Sequence, residues 1–175
     1  MATSDNPTSQ PGERELVIIR IFDAPRDLVW KAFTEADRLA QWWGPKGFTM
    51  LVRTLDFRQG GAFHYAMRAP DGRTMWGRFV YHEIHVPERM VFVSSFTDED
   101  GAIIRAPFSP TWPLEILNVV TFTESGGKTA VTLSGGPVNA SEEERATFWN
   151  SQDSVEQGFA GTFDQLAAYL NEAQR

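Results

Sequence analysis

The sequence predicts an α+β domain: a curved antiparallel sheet of about six or seven strands wrapped around one long C-terminal helix, with two short helices after the first strand. Three observations lead there. Between residues 51 and 136, β-type segments follow one another on short turn sequences, which is the signature of a meander. Near the C-terminus, Val155, Phe159, Phe163, Leu166 and Leu170 recur at steps of four, four, three and four, one face of a helix from Ser151 to Glu172. At 1.5 Å per residue that helix is roughly 33 Å long, the only element able to cover a sheet with one apolar face. The sheet must curl around it, and where it does not close tightly a cavity is left.

The elements follow in order. Glu15–Phe22 ("ELVIIRIF") is β-branched and reads as a strand. Asp23 is placed to cap the next helix, Pro25 suits its first turn, and Leu28, Val29, Ala32 and Phe33 form its apolar stripe. A second short helix from Glu35 to Gln41 leads to the pair Trp42 and Trp43, and Gly44-Pro45 ends it. Strands are expected at Leu51–Phe57 and Ala62–Ala69, with Asp71-Gly72 in the turn that follows. Thr74–Val86 is a long strand stopped by Pro87, and "ERMVFVSSF" is the next. The stretch "APFSPTWP" carries three prolines and is irregular, and "PLEILNVVTFTE" and "KTAVTLSGG" make a last hairpin. Ser141 and Glu144 have the S-x-x-E spacing of a capping box.

Composition narrows the function. Of 175 residues, 42% are apolar and 13% aromatic, with 13 Phe and 6 Trp, so many rings must line something large. The net charge of −7 and the lack of a basic run argue against nucleic acid or an anionic membrane as partner. There is no cysteine, hence no disulfide and no thiol nucleophile. The polar start "MATSDNPTSQPGER" does not read as a signal peptide, and no apolar run reaches membrane-spanning length. Residues 1–13 are expected to be a disordered tail, 14–175 a single domain, and the location cytoplasmic.

The stretches "RIFDAPRDLVWKAFTEADRLAQWWGP", "DGRTMWGRFVYHEIHVPERMVF", "WPLEILNVVTFTESGGKTAVTL" and "SVEQGFAGTFDQLAAYL" resemble bacterial single-domain proteins related to the C-terminal domain of the activator of the heat shock protein 90 ATPase. That family belongs to the helix-grip superfamily, with the START lipid-transfer domains, the birch-pollen-allergen fold and aromatic polyketide cyclases. The resemblance covers roughly residues 15–172. It implies a pocket between the sheet and the long helix, opening near the short helices and the loops facing them.

The candidate ligand-binding residues are Trp42, Trp43, His64, Trp76, Arg78, Phe92, Phe108, Trp112 and Phe159. Trp42 and Trp43 supply a floor and a rim, Phe108 and Trp112 a lid, and His64 or Arg78 a polar group to orient the ligand. His82 and His85, three apart on a strand, point to opposite faces, so no metal site is expected, and no cofactor. Glu83 shares strand parity with Phe79 and Tyr81, and Glu115 with Leu117 and Val119. Each is an acid/base candidate if its face lines the pocket, or the partner of an arginine such as Arg78 or Arg105 if it does not. Gly158 and Gly161 inside the long helix mark either a close neighbour or a notch for a ligand. No catalytic motif is present, so no catalytic residue is assigned.

The leading expectation is a protein that binds a small hydrophobic or aromatic molecule. The alternatives are a cyclase- or hydrolase-type enzyme using a pocket carboxylate or histidine, and a co-chaperone-like regulator of a heat shock protein 90 ATPase, which the resemblance alone suggests. Large rings on both faces of strand 74–86 also raise the prospect of a homodimer.

Overall fold

The computed structural model describes residues 14–175; the tail expected at 1–13 lies outside the described residues. The order is β1 (Leu16–Phe22), α1 (Arg26–Thr34), α2 (Ala36–Trp42), β2 (Thr49–Leu55), β3 (Ala62–Arg68), β4 (Thr74–His85), β5 (Arg89–Thr97), β6 (Ile116–Ser125), β7 (Lys128–Pro137), α3 (Glu142–Asn150) and α4 (Gln152–Ala173). The seven strands form one antiparallel sheet in the order β1-β7-β6-β5-β4-β3-β2. The meander thus runs from β2 to β7, and β1 closes its far side. Helices α1 and α2 carry the chain from one edge of the sheet to the other.

Two differences at the helix ends have local causes. Pro25, not Asp23, occupies the N-cap of α1; its ψ of 150° is extended and no side chain caps the helix. The capping box at Ser141 and Glu144 is formed, but it opens a separate helix, α3, which ends at Ser151 before α4 begins.

Two bulges bend the sheet, between Val52 and Thr54 on β2 and between Tyr81 and Glu83 on β4. The second reverses the alternation on β4. Phe79 and Tyr81 face the concave side, whereas Glu83 pairs with Val91 on the convex side. Parity counted along the sequence therefore misplaces Glu83. Its carboxylate accepts from Arg89 Nη1 at 2.7 Å, so an arginine does partner it. Glu115 precedes β6 and accepts from Asn139 Nδ2 at 3.3 Å, while Arg105 pairs with Glu144.

The concave face holds the main core. Phe163, Leu166 and Leu170 on the second half of α4 are buried against Phe22, Val29, Phe33 and Trp42. The WW-G-P corner is tied to the same helix. Gly44 has φ +106°, which ends α2 in a conformation glycine favours. The carbonyl it turns outward accepts from Gln165 Nε2 (2.6 Å) and Thr162 Oγ1 (3.2 Å) on α4. The free end of α2 is thus satisfied by α4. On the convex side, Val91, Val93 and Leu117 form a smaller cluster. On the second face of β4, Trp76 is half-buried; it packs on His64 at 5.1 Å and lies under the Arg53 guanidinium at 5.5 Å.

Candidate ligand-binding site

The long helix is gripped along only half its length. Its second half fills the concave face, but the first half contributes no fully buried side chain before Thr162. Beneath it, between α4 and strands β4–β7, lies a hollow of about 180 Å³. Val155 and Phe159 form its roof. Trp43, Phe79 and Phe92 form its floor; Trp43 meets Phe79 edge-on at 5.3 Å, and Phe79 stacks on Phe92 at 4.2 Å. These rings separate the hollow from the filled core.

One side wall comes from the irregular loop before β6. Trp112 packs on Phe148 of α3 at 5.4 Å. The loop is held there by a 2.8 Å hydroxyl contact between Thr111 and Thr147 and by the Arg105–Glu144 pair, in which Arg105 and the Ser141 backbone hold the Glu144 carboxyl below its usual range. The other wall is set by β7. Gly135 has φ +145°, and a Cβ there would stand 2.0 Å from the Leu117 carbonyl oxygen, so only glycine fits.

Of the residues singled out in the sequence, Trp43, Phe92, Trp112 and Phe159 border the hollow, as does Trp76, although its ring packs on His64 on the convex side. Trp42 belongs to the filled core, 1% exposed, with Nε1 donating to the Ala32 carbonyl at 2.9 Å. His64 and Arg78 face each other in register on the convex side. His64 contacts Thr97 Oγ1 at 3.3 Å, and Arg78 Nη1 donates to the Gly101 carbonyl at 3.1 Å. Phe108 is 62% exposed and stands over Phe96 and Trp112 outside the hollow. At Gly158 and Gly161 an added Cβ would meet nothing within 4 Å, so neither marks a close neighbour.

Sequence reasoning placed Val155 only on the helical stripe and did not single out Tyr65, Ser94 or Asn118. Two signals were available. Ser94 shares parity with Phe92, and Asn118 interrupts the apolar run "ILNVV".

Among the described residues bordering the hollow there is no Asp, Glu, Lys, Arg or His. Burial pushes the Tyr65 phenol up to about 12, against a smaller lowering by the hydrogen bond with Trp43. The adjoining Tyr81 phenol is raised by burial and then by Tyr65. Both stay neutral at ordinary pH. This environment offers hydrogen bonds and apolar contact, and no group poised to take a proton near neutrality.

The sequence profile of the family described as Activator of Hsp90 ATPase homolog 1-like protein matches residues 23–171. Among solved structures, a protein of Mycobacterium smegmatis is 28% identical with a TM-score of 0.72, covering 88% of each chain. A protein of Arthrobacter aurescens is 25% identical with a TM-score of 0.77, covering 90% of this chain and 86% of its own. The AHSA1 protein of Silicibacter pomeroyi, 18% identical at a TM-score of 0.70, covers 91% and 99% and shares the fold. No curated protein matches the chain. With the profile covering most of its length and the helix-grip architecture in place, the chain belongs to the family of Activator of Hsp90 ATPase homolog 1-like proteins.

Proposed function

We propose that this protein binds a small hydrophobic or aromatic molecule in the hollow beneath the first half of α4. The observation that carries this reading is the contrast along one helix: its second half is packed against buried rings, and its first half stands over 180 Å³ of space walled by aromatic side chains. An engineered apolar cavity of about 150 Å³ stays dry and admits benzene, so a space of this size suits a guest of one or two rings. Burial against Trp43, Phe79, Phe92 and Phe159 supplies the driving force. The absence of Asp, Glu, Lys, Arg and His from the described lining favours an uncharged guest, because an ion would lose its hydration with no charged partner to replace it.

Dye displacement and thermal shift across lipids, aromatics and polyketides test the reading. A guest at a hundredfold excess over its Kd should stabilise the fold by about 2.7 kcal/mol. If no uncharged aromatic displaces the dye or raises the Tm, the reading is wrong.

A further inference from the structure

The polar part of the hollow has a defined sense. Asn118 on β6 and Ser94 on β5 are diagonal neighbours on the concave face, since Phe92 pairs with Asn118 and Ser94 with Ile116. Asn118 Nδ2 donates to the Ile116 carbonyl at 3.0 Å. A carbonyl can only accept, so this contact fixes which end of the amide is nitrogen. The second Nδ2 proton goes to Ser94 Oγ at 3.1 Å. Both amide donors are then used, and Ser94, having accepted, keeps its own proton to give.

Asn118 Oδ1 accepts no hydrogen bond among the described residues, and it is not one of the buried polar atoms sealed without a partner. Asn118 is only 8% exposed, and both residues border the hollow. One donor and one acceptor therefore stand side by side in an otherwise apolar wall.

Resting on the proposed binding role, we propose that Ser94 and Asn118 form a subsite for an uncharged ring system that carries an adjacent N–H and C=O, as in a lactam or a cyclic amide. The ligand N–H donates to Asn118 Oδ1, and the Ser94 hydroxyl donates to the ligand carbonyl. A hydrocarbon of the same shape leaves both protein groups unpaired on losing their water, which costs roughly a factor of ten or more in affinity. An ionised acid of the same shape can take the Ser94 proton but also faces the Asn118 oxygen and an apolar wall with no cation to replace its water, and is rejected.

The test compares 2-quinolinone, a two-ring lactam, with naphthalene and with 2-naphthoate, by calorimetric titration of the full chain and of Ser94→Ala and Asn118→Leu. The expected result is binding of the lactam at least tenfold tighter than naphthalene, with the carboxylate weakest. Each variant should bring the lactam to within about threefold of naphthalene. Ser94→Ala leaves the Asn118–Ile116 bond in place, so the comparison survives if Asn118→Leu does not fold. Equal binding of lactam and naphthalene, or a preference that persists in Ser94→Ala, overturns the subsite while leaving the hollow as a binding site. Failure of all three molecules to bind overturns the binding role itself.

Discussion

Filling the hollow from within separates a real void from a packing detail. Val155 lies on the roof, half-buried, on the half of α4 that buries least. Cavity surveys give about 24 cal/mol per Å³, so an empty space of 180 Å³ costs the fold at most about 4 kcal/mol relative to a packed interior. Val155→Phe places a ring into that space and takes up roughly a third of it, recovering on the order of 1 kcal/mol. The same ring competes with any guest, so affinity for a neutral aromatic should fall at least tenfold. Equilibrium urea unfolding reads the first effect, as a raised midpoint at unchanged m-value. Titration with naphthalene reads the second. A loss of stability of more than about 1 kcal/mol would mean that the site is already full and that the new ring is forced into occupied volume.

Other consequences divide the molecule in the same way. Trp42→Ala should cost about 3–5 kcal/mol, as for a ring removed from a packed core, whereas Trp43→Ala should cost less and enlarge the space for a guest; equal losses in urea unfolding would contradict the division. Gly158→Ala and Gly161→Ala meet no neighbour, so each should stabilise by up to about 1 kcal/mol, seen as a higher Tm. At alkaline pH the raised phenol of Tyr65 favours the folded state fully up to pH about 9, where the unfolded phenol, with its midpoint at about 10, begins to ionise. That contribution, on the order of 2–3 kcal/mol, is lost as pH climbs toward about 12. Stability measured from pH about 9 upward should therefore drop, and Tyr65→Phe should flatten the drop; an unchanged slope in the variant would place the effect elsewhere.

The parts of the fold that were legible in the sequence are those whose periodicity survives folding. The steps from Val155 to Leu170 gave the long helix, and strand-type segments joined by short turns gave the meander. Proline 87 ended β4 as expected. The face of Glu83 was hidden because a single bulge shifts parity, and nothing in "YHEIH" announces a bulge. His64 and Arg78 were drawn toward the pocket by their chemistry, yet each lies one residue from the concave Phe63, Tyr65 and Phe79, and one residue is enough to change sides.

The hollow itself could not be located along α4. The apolar steps are the same over its packed and unpacked halves, and the difference lies in what opposes them. Phe22, Val29 and Phe33 meet the second half, while Ser94, Asn118 and Gly135 lie below the first. That depends on register across β5, β6 and β7, which no local pattern encodes. The tryptophan pair was partly legible. Adjacent rings at a helix end had each to find a dry place, and they do, Trp42 in the core and Trp43 at the floor of the hollow, edge-on to each other at 5.6 Å.

The most direct measurement of the central claim is a heteronuclear NMR titration of the full chain with naphthalene. The account predicts saturable shifts confined to the amides around Val155, Phe159, Asn118 and Gly135, with the second half of α4 unmoved. Absence of shifts, or shifts gathered instead on the exposed face of β1 at Val17, Ile19 and Ile21, would contradict it.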